Sequence, residues 1–158
     1  MTTQTANLEV PKIKEGLLDV YKKEDKKEQE KEDKRLTADK VQSDKSLLDK
    51  LPEPTGYRML VLPHAGARKT KGGILLSDTT LETMQMTTVC AYVLKQGDLC
   101  YKDKEKFPNG PWCKNGDWVI FGRYAGARFK IDGGEVRILN DDEIIAVVDD
   151  PNDILQTY

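Results

Sequence analysis

His64 is the sole histidine of the chain, so any Ser–His or Cys–His nucleophile would have to be activated through that one imidazole. It closes the apolar run "YRMLVLPH", where a polar residue at the rim of a sheet is the ordinary reading. Cys90, Cys100 and Cys113 are thiols able to hold zinc or form disulfides, but they are odd in number and lack a Cys-x-x-Cys spacing. They read as small, partly buried thiols in a reducing compartment. "GARKT" (66–70) has the flavour of a phosphate loop without the earlier glycine or the Gly-Lys-Ser/Thr order. The carboxylates of Asp141, Asp142 and Glu143 could hold a cation only with a second ligand cluster; without one they read as a solvated turn before a strand. None of these groups assembles a catalytic or metal-binding set, and the chain reads as a non-enzyme with no cofactor of its own.

The chemistry that does stand out is that of binding. In "RKTKGGILLSD" (68–78), Ile74, Leu75 and Leu76 are consecutive large aliphatics between Gly72–Gly73 and a polar stretch. Either they belong to a buried strand, or they are held out for a partner to bury.

The elements that would position this triplet follow from charge and hydropathy. Residues 1–50 hold 12 Lys/Arg and 12 Asp/Glu, whereas the remaining 108 hold 13 and 15, giving the net charge of −2. A chain so close to neutral has no long-range positive field, so nucleic acid and anionic membranes are poor partners. No apolar run approaches the ~20 residues that span a bilayer. The start, "MTTQTANLEV", has no basic segment followed by an apolar core, and the expectation is a soluble, cytoplasmic protein.

From Lys22 to Arg35, fourteen residues include only one uncharged side chain, too polar to bury a core. This N-terminal extension is expected to be helical or disordered; as a helix it would carry Ile13, Leu17, Leu18 and Tyr21 on a docking face. Two prolines and a glycine in "PEPTG" mark a boundary, giving an extension over 1–51 and a domain over 52–158. Nothing in the extension is expected to supply core to that domain.

Beyond Gly56, the runs 57–62, 88–96, 117–121, 127–131, 135–139 and 143–148 are rich in β-branched and aromatic residues and separated by turn residues. Short strands without room for crossover helices predict an all-β fold, an antiparallel barrel or sandwich. Two connections, Pro63 to about Thr87 and Gly97 to Gly116, exceed tight turns, and loops of that length are usually functional or disordered. Within the first, Thr79 to Glu82 has the pattern of a capping box for a short helix.

"PTGYRMLVLP" (54–63), "KGGILL" (71–76) and "GDWVIFGRYAGARFKIDGGEVRILNDDEIIAVVDD" (116–150) together resemble the GroES-type co-chaperonins of the chaperonin-10 family, over about 95 residues. The resemblance implies a small antiparallel β-barrel with a long mobile loop and a roof-type hairpin. It makes Ile74, Leu75 and Leu76 the tripeptide that docks on a GroEL-type chaperonin, with Gly72 and Gly73 as the flexible lead-in. The flanks agree, since neither Gly-Gly nor "SDTTLET" extends a strand.

It further implies a homo-oligomeric ring, a heptamer, that caps the chaperonin chamber around an unfolded client protein. ATP is bound by the chaperonin and not by this chain. The extension and the Gly97–Gly116 segment depart from the family pattern; additions of this kind occur in co-chaperonins encoded by bacterial viruses. They leave a second reading open, a structural or assembly protein, for example of a virus particle, that reuses the barrel and carries the extension as an assembly arm.

Overall fold

The computed structural model describes residues 12–66 and 69–154, with side chains from Gly16 onward. The chain divides between Arg35 and Leu36 into two compact units.

The first unit is built on helix α1, Lys12–Lys34. Glu, Lys, Gln and Leu dominate it, all good helix formers, and Lys31 and Lys34 in its last turn complement the helix dipole. Leu17, Leu18, Val20 and Tyr21 are about half exposed along it. The side chain of Ile13, expected on the same face, lies outside the described residues.

The second unit begins with two short helices, α2 (Ala38–Ser43) and α3 (Ser46–Asp49). Strand β1 (Arg58–Pro63) follows, then helix α4 (Asp78–Thr87), β2 (Cys90–Gln96), β3 (Trp118–Phe121), β4 (Ala127–Ile131), β5 (Gly134–Asn140) and β6 (Ile144–Val148). The strands form one antiparallel sheet in the order β4-β5-β1-β2-β3-β6. Every strand expected from the sequence is present with slightly shifted ends. The expected closed barrel is not: the ladders end at β4 and β6, which are unpaired with each other. Both are short edge strands, and β4 carries exposed Arg128 and Lys130, charges that discourage edge pairing.

Alternation along the strands gives the sheet two buried faces. Met59, Val61, Ala91, Val93, Val119, Phe121 and Leu139 pack on one side. Leu60, Leu62, Tyr92, Leu94 and Val136 pack on the other. This second face is covered by Ala38, Val41 and Leu51, with Leu36 and Leu48 against them. The Leu36 N–H donates to the Gly133 carbonyl at 2.9 Å, and Lys95 reaches the Leu51 carbonyl. The expectation that residues 1–51 contribute nothing to the core is therefore corrected. Residues 36–51 belong to the sheet domain because an apolar outer face needs a cover, and α1 belongs to the other unit.

The roof-type hairpin is also corrected. Between Gly97 and Gly116 the chain runs through turns without a strand pair. Pro108 and Pro111 remove the donors a ladder would need, and Cys100, Tyr101, Phe107 and Cys113 turn inward to complete the first core face. A side chain at Gly97 would stand 2.2 Å from the Gly56 carbonyl oxygen, so only glycine lets the loop leave β2 at that point.

Candidate functional site

The aliphatic triplet sits on a miniature hairpin. The Gly73 N–H donates to the Thr70 carbonyl at 2.9 Å, and the Thr70 N–H donates to the Ile74 carbonyl at 2.9 Å. The Thr70 hydroxyl accepts from the Ile74 N–H at 3.1 Å, and Lys69 bridges Leu75 across the turn. Gly73 has φ +85°, a left-handed backbone that L side chains rarely adopt, so the second glycine sets the turn. Gly72, Gly73, Ile74, Leu75 and Leu76 are thus brought together on one turn, with the glycines at its tip. Ile74 is 69% exposed and Leu75 50%, while Leu76 is half-buried. The buried-strand alternative fails on these exposures.

Helix α4 starts immediately after the triplet. Its N-cap is Ser77, whose hydroxyl accepts from the Thr80 N–H at 3.2 Å, so the cap lies before the expected Thr79–Glu82 pair. Leu81 and Gln85 are buried beneath the helix, and Glu82 pairs with Lys130 of β4 at 3.4 Å. The helix C-terminus meets Arg137 of β5, a fully buried side chain. Its guanidinium donates to the carbonyls of Met86 (2.8 Å), Gln85 (3.4 Å) and Arg123 (2.9 Å). Burial pushes the Arg137 pKa down, and the nearby Glu135 carboxylate works the other way.

The other sequence candidates have structural roles. The His64 ring stands edge-on to Trp118, with centroids 5.4 Å apart. Cys90, Cys100 and Cys113 are free and buried. Burial pushes the Cys90 thiol up to about 11, and burial with the Asp141 and Cys113 charges pushes Cys100 up to about 12, the opposite of an activated nucleophile. The Asp141–Glu143 turn is not simply solvated. Asp141 is buried and its carboxylate accepts from the Tyr101 N–H at 3.1 Å; Asp142 pairs with Lys106 at 2.7 Å; Glu143 accepts from the Asn140 N–H at 2.6 Å. No cluster of metal-ligating side chains occurs among the described residues, and none of their helices is long and apolar enough to cross a membrane.

Sequence reasoning missed a second exposed apolar patch. On edge strand β6, Ile145 is 70% and Val147 47% exposed. The signal was present in "EIIAVV", which is apolar at both strand periods although the strand has one neighbour among the described residues.

Exposed Ile74 and Leu75 thus stand on a glycine turn after the first of six antiparallel strands. Residues 52–148 match the family described as Chaperonin 10 Kd subunit. This chain belongs to that family. The chaperonin-10 match covers β1 to β6 and leaves α1, α2 and α3 outside it. Among curated relatives, the chain is 35% identical to Co-chaperonin GroES of Petrotoga mobilis over 98 residues, 62% of this chain and 97% of the relative. It is 39% identical to Co-chaperonin GroES of Treponema denticola over 97 residues, 61% of this chain and 97% of the relative. With Co-chaperonin GroES of Caldicellulosiruptor saccharolyticus it shares 37% identity over 97 residues, 61% and 96% of the two chains. The protein is a GroES-type co-chaperonin with added N-terminal helices.

Proposed function

We propose that this co-chaperonin caps an ATP-bound GroEL-type chaperonin by inserting Ile74, Leu75 and Leu76 into an apolar groove of the chaperonin ring. The observation that carries the reading is the exposure of Ile74 and Leu75 on an ordered turn. Fully burying an aliphatic side chain of this size is worth roughly 1.5–3 kcal/mol. A protein that leaves this energy ungained in its free state holds it for a partner.

Each such contact is weak, because docking also costs the conformational freedom of the loop. A ring of identical subunits, a heptamer by the family pattern, makes the later contacts intramolecular and adds weak sites into a tight, reversible cap. The apolar edge of β6, with Ile145 and Val147 exposed, supports self-association, since such an edge is a template for a second chain. The open GroES-like sheet then forms part of a chamber lid. The chain itself hydrolyses nothing: ATP stays with the chaperonin, and the lid's work is to enclose an unfolded client.

The test is a double substitution, Ile74→Asp with Leu75→Asp. Surface changes usually stay within about ±0.5 kcal/mol, so the melting temperature of the free protein stays unchanged, while co-sedimentation with an ATP-loaded chaperonin is lost. A variant that melts far lower would assign the pair to the core. One that still co-sediments would move the docking site elsewhere.

A further inference from the structure

The docking loop has a fixed end, and the residue that fixes it is not on the loop. The last four carbonyls of any helix lack partners within the helix. In α4 the Met84 carbonyl accepts from the Thr88 N–H, and those of Gln85 and Met86 accept from the Arg137 guanidinium. Arg137 therefore closes the C-terminal end of α4 as a cationic cap, delivered from β5 across the interior. The same side chain donates to the Arg123 carbonyl in the β3–β4 turn and lies over the Phe121 ring at 5.1 Å.

A buried charge is expensive unless it is paired. Its carboxylate partner, Glu135 on the same face of β5, stands 3.7 Å from Nε, beyond hydrogen-bond range, so Nε and Glu135 Oε1 have no hydrogen-bond partner among the described residues. An arginine retained at this cost, with its donors on the carbonyls of a helix end, is doing something an apolar residue would not.

We infer that Arg137 is a positioning residue for the docking loop: by pinning the C-terminal end of α4 it makes the helix a rigid stalk, restricts loop motion to the residues before Ser77, and so strengthens chaperonin binding without touching the chaperonin. This rests on the capping reading above. A loop free up to β2 would have to order the ten residues of α4 as well on docking, and each ordered residue carries a conformational cost.

The experiment uses the full chain. In Arg137→Lys the charge is kept, but an ammonium cannot serve the helix carbonyls and the β3–β4 turn together as the planar five-donor guanidinium does. Hydrogen exchange of the free protein is expected to rise about tenfold in 78–87 while the β1 and β2 amides stay within about twofold. Chaperonin affinity is expected to fall about tenfold or more, since the loss repeats at every loop of the ring.

A bis-maleimide bridge between Glu82→Cys and Lys130→Cys, both exposed, then pins α4 independently of residue 137, and the buried native thiols do not compete. In the Arg137→Lys background the bridge should restore slow exchange and bring affinity to within about threefold of the parent. Exchange that rises equally in every strand, or affinity that the bridge does not recover, would make Arg137 an ordinary core residue and overturn the proposal.

If Arg137→Lys does not fold, the bridge in the otherwise native chain decides. Retained binding supports a stalk that stays docked, and lost binding shows that α4 must leave the sheet and overturns it. Absence of chaperonin binding by the native chain would sink the capping reading instead, and the exchange of 78–87 would still decide whether Arg137 pins the helix.

Discussion

The backbone of Thr70 pairs with that of Ile74 at 2.9 Å across the Gly72–Gly73 turn, so the two sides of the turn are held in register while the Ile74 side chain, at 69% exposure, remains in solvent. The loop is therefore shaped before a partner arrives. Preorganisation of this kind lowers the conformational cost of binding.

The glycine at the turn should control that shape. Gly73→Val places a β-branched residue at φ +85°, a strain of about 1–2 kcal/mol, although no atom of the described residues stands near the new Cβ. The hairpin is local, so the melting temperature should not move. The Lys69–Leu75 cross-strand contact should disappear from NOE spectra, and chaperonin affinity should fall about tenfold or more, since the strain is repeated at every loop of the ring. An intact contact in the variant would show that the register does not depend on Gly73.

Truncation separates the two N-terminal segments. Removing residues 1–35 takes away α1 and should leave the thermal unfolding curve of the sheet domain within about 0.5 kcal/mol of the parent. Removing 1–51 strips Ala38, Val41 and Leu51 from the second core face. A single Leu51→Ala should cost about 2–5 kcal/mol, and the longer deletion more, measured by chemical denaturation. Equal stability of the two truncations would contradict the role assigned to α2 and α3.

The thiols give a pH-dependent prediction. Cys90 is pushed from 9.0 up to about 11 in the folded state by burial. Below pH 9.0 the thiol is protonated in both states and its contribution is fully present. As pH rises from 9.0 toward about 11 the unfolded thiol ionises first, and folding stability falls. Near pH 8 a water-soluble aromatic disulfide should react with the native protein slower than with the urea-unfolded chain by roughly two orders of magnitude. Rapid native reaction of all three thiols would contradict their burial.

The six strands were legible because β-branched runs between turn residues have one reading, and the exposure of Ile74 and Leu75 was legible because Gly-Gly and a polar flank cannot extend a strand. Arg137 was not. In "EVRIL", alternation assigns Glu135 and Arg137 to a wet face, and nothing local reveals that α4 lies over them. Nor was the role of 36–51: Ala38, Val41 and Leu51 are too few and too scattered among charges to read as core until the face of Leu60 and Leu62 is seen to need a cover. The inward turn of Tyr101 and Phe107 was legible only as one of two readings, since aromatic residues between lysines suit a chamber roof or subunit contact as well as a core. In each case the missing information was a tertiary partner remote in sequence.

The central position of β1 has a consequence for how the chain comes off the ribosome. Met59 pairs on one side with Gln96 and on the other with Leu139, so β1 must wait for a neighbour translated well after it. Pairing this distant in sequence slows folding, and an apolar strand with two bare edges invites the wrong partner in the interval. The segment 36–51 is translated just before β1 and packs on Leu60 and Leu62 in the finished protein. During translation it can shield one side of the nascent strand, serving the chain as a chaperone of its own before that chain assists any other.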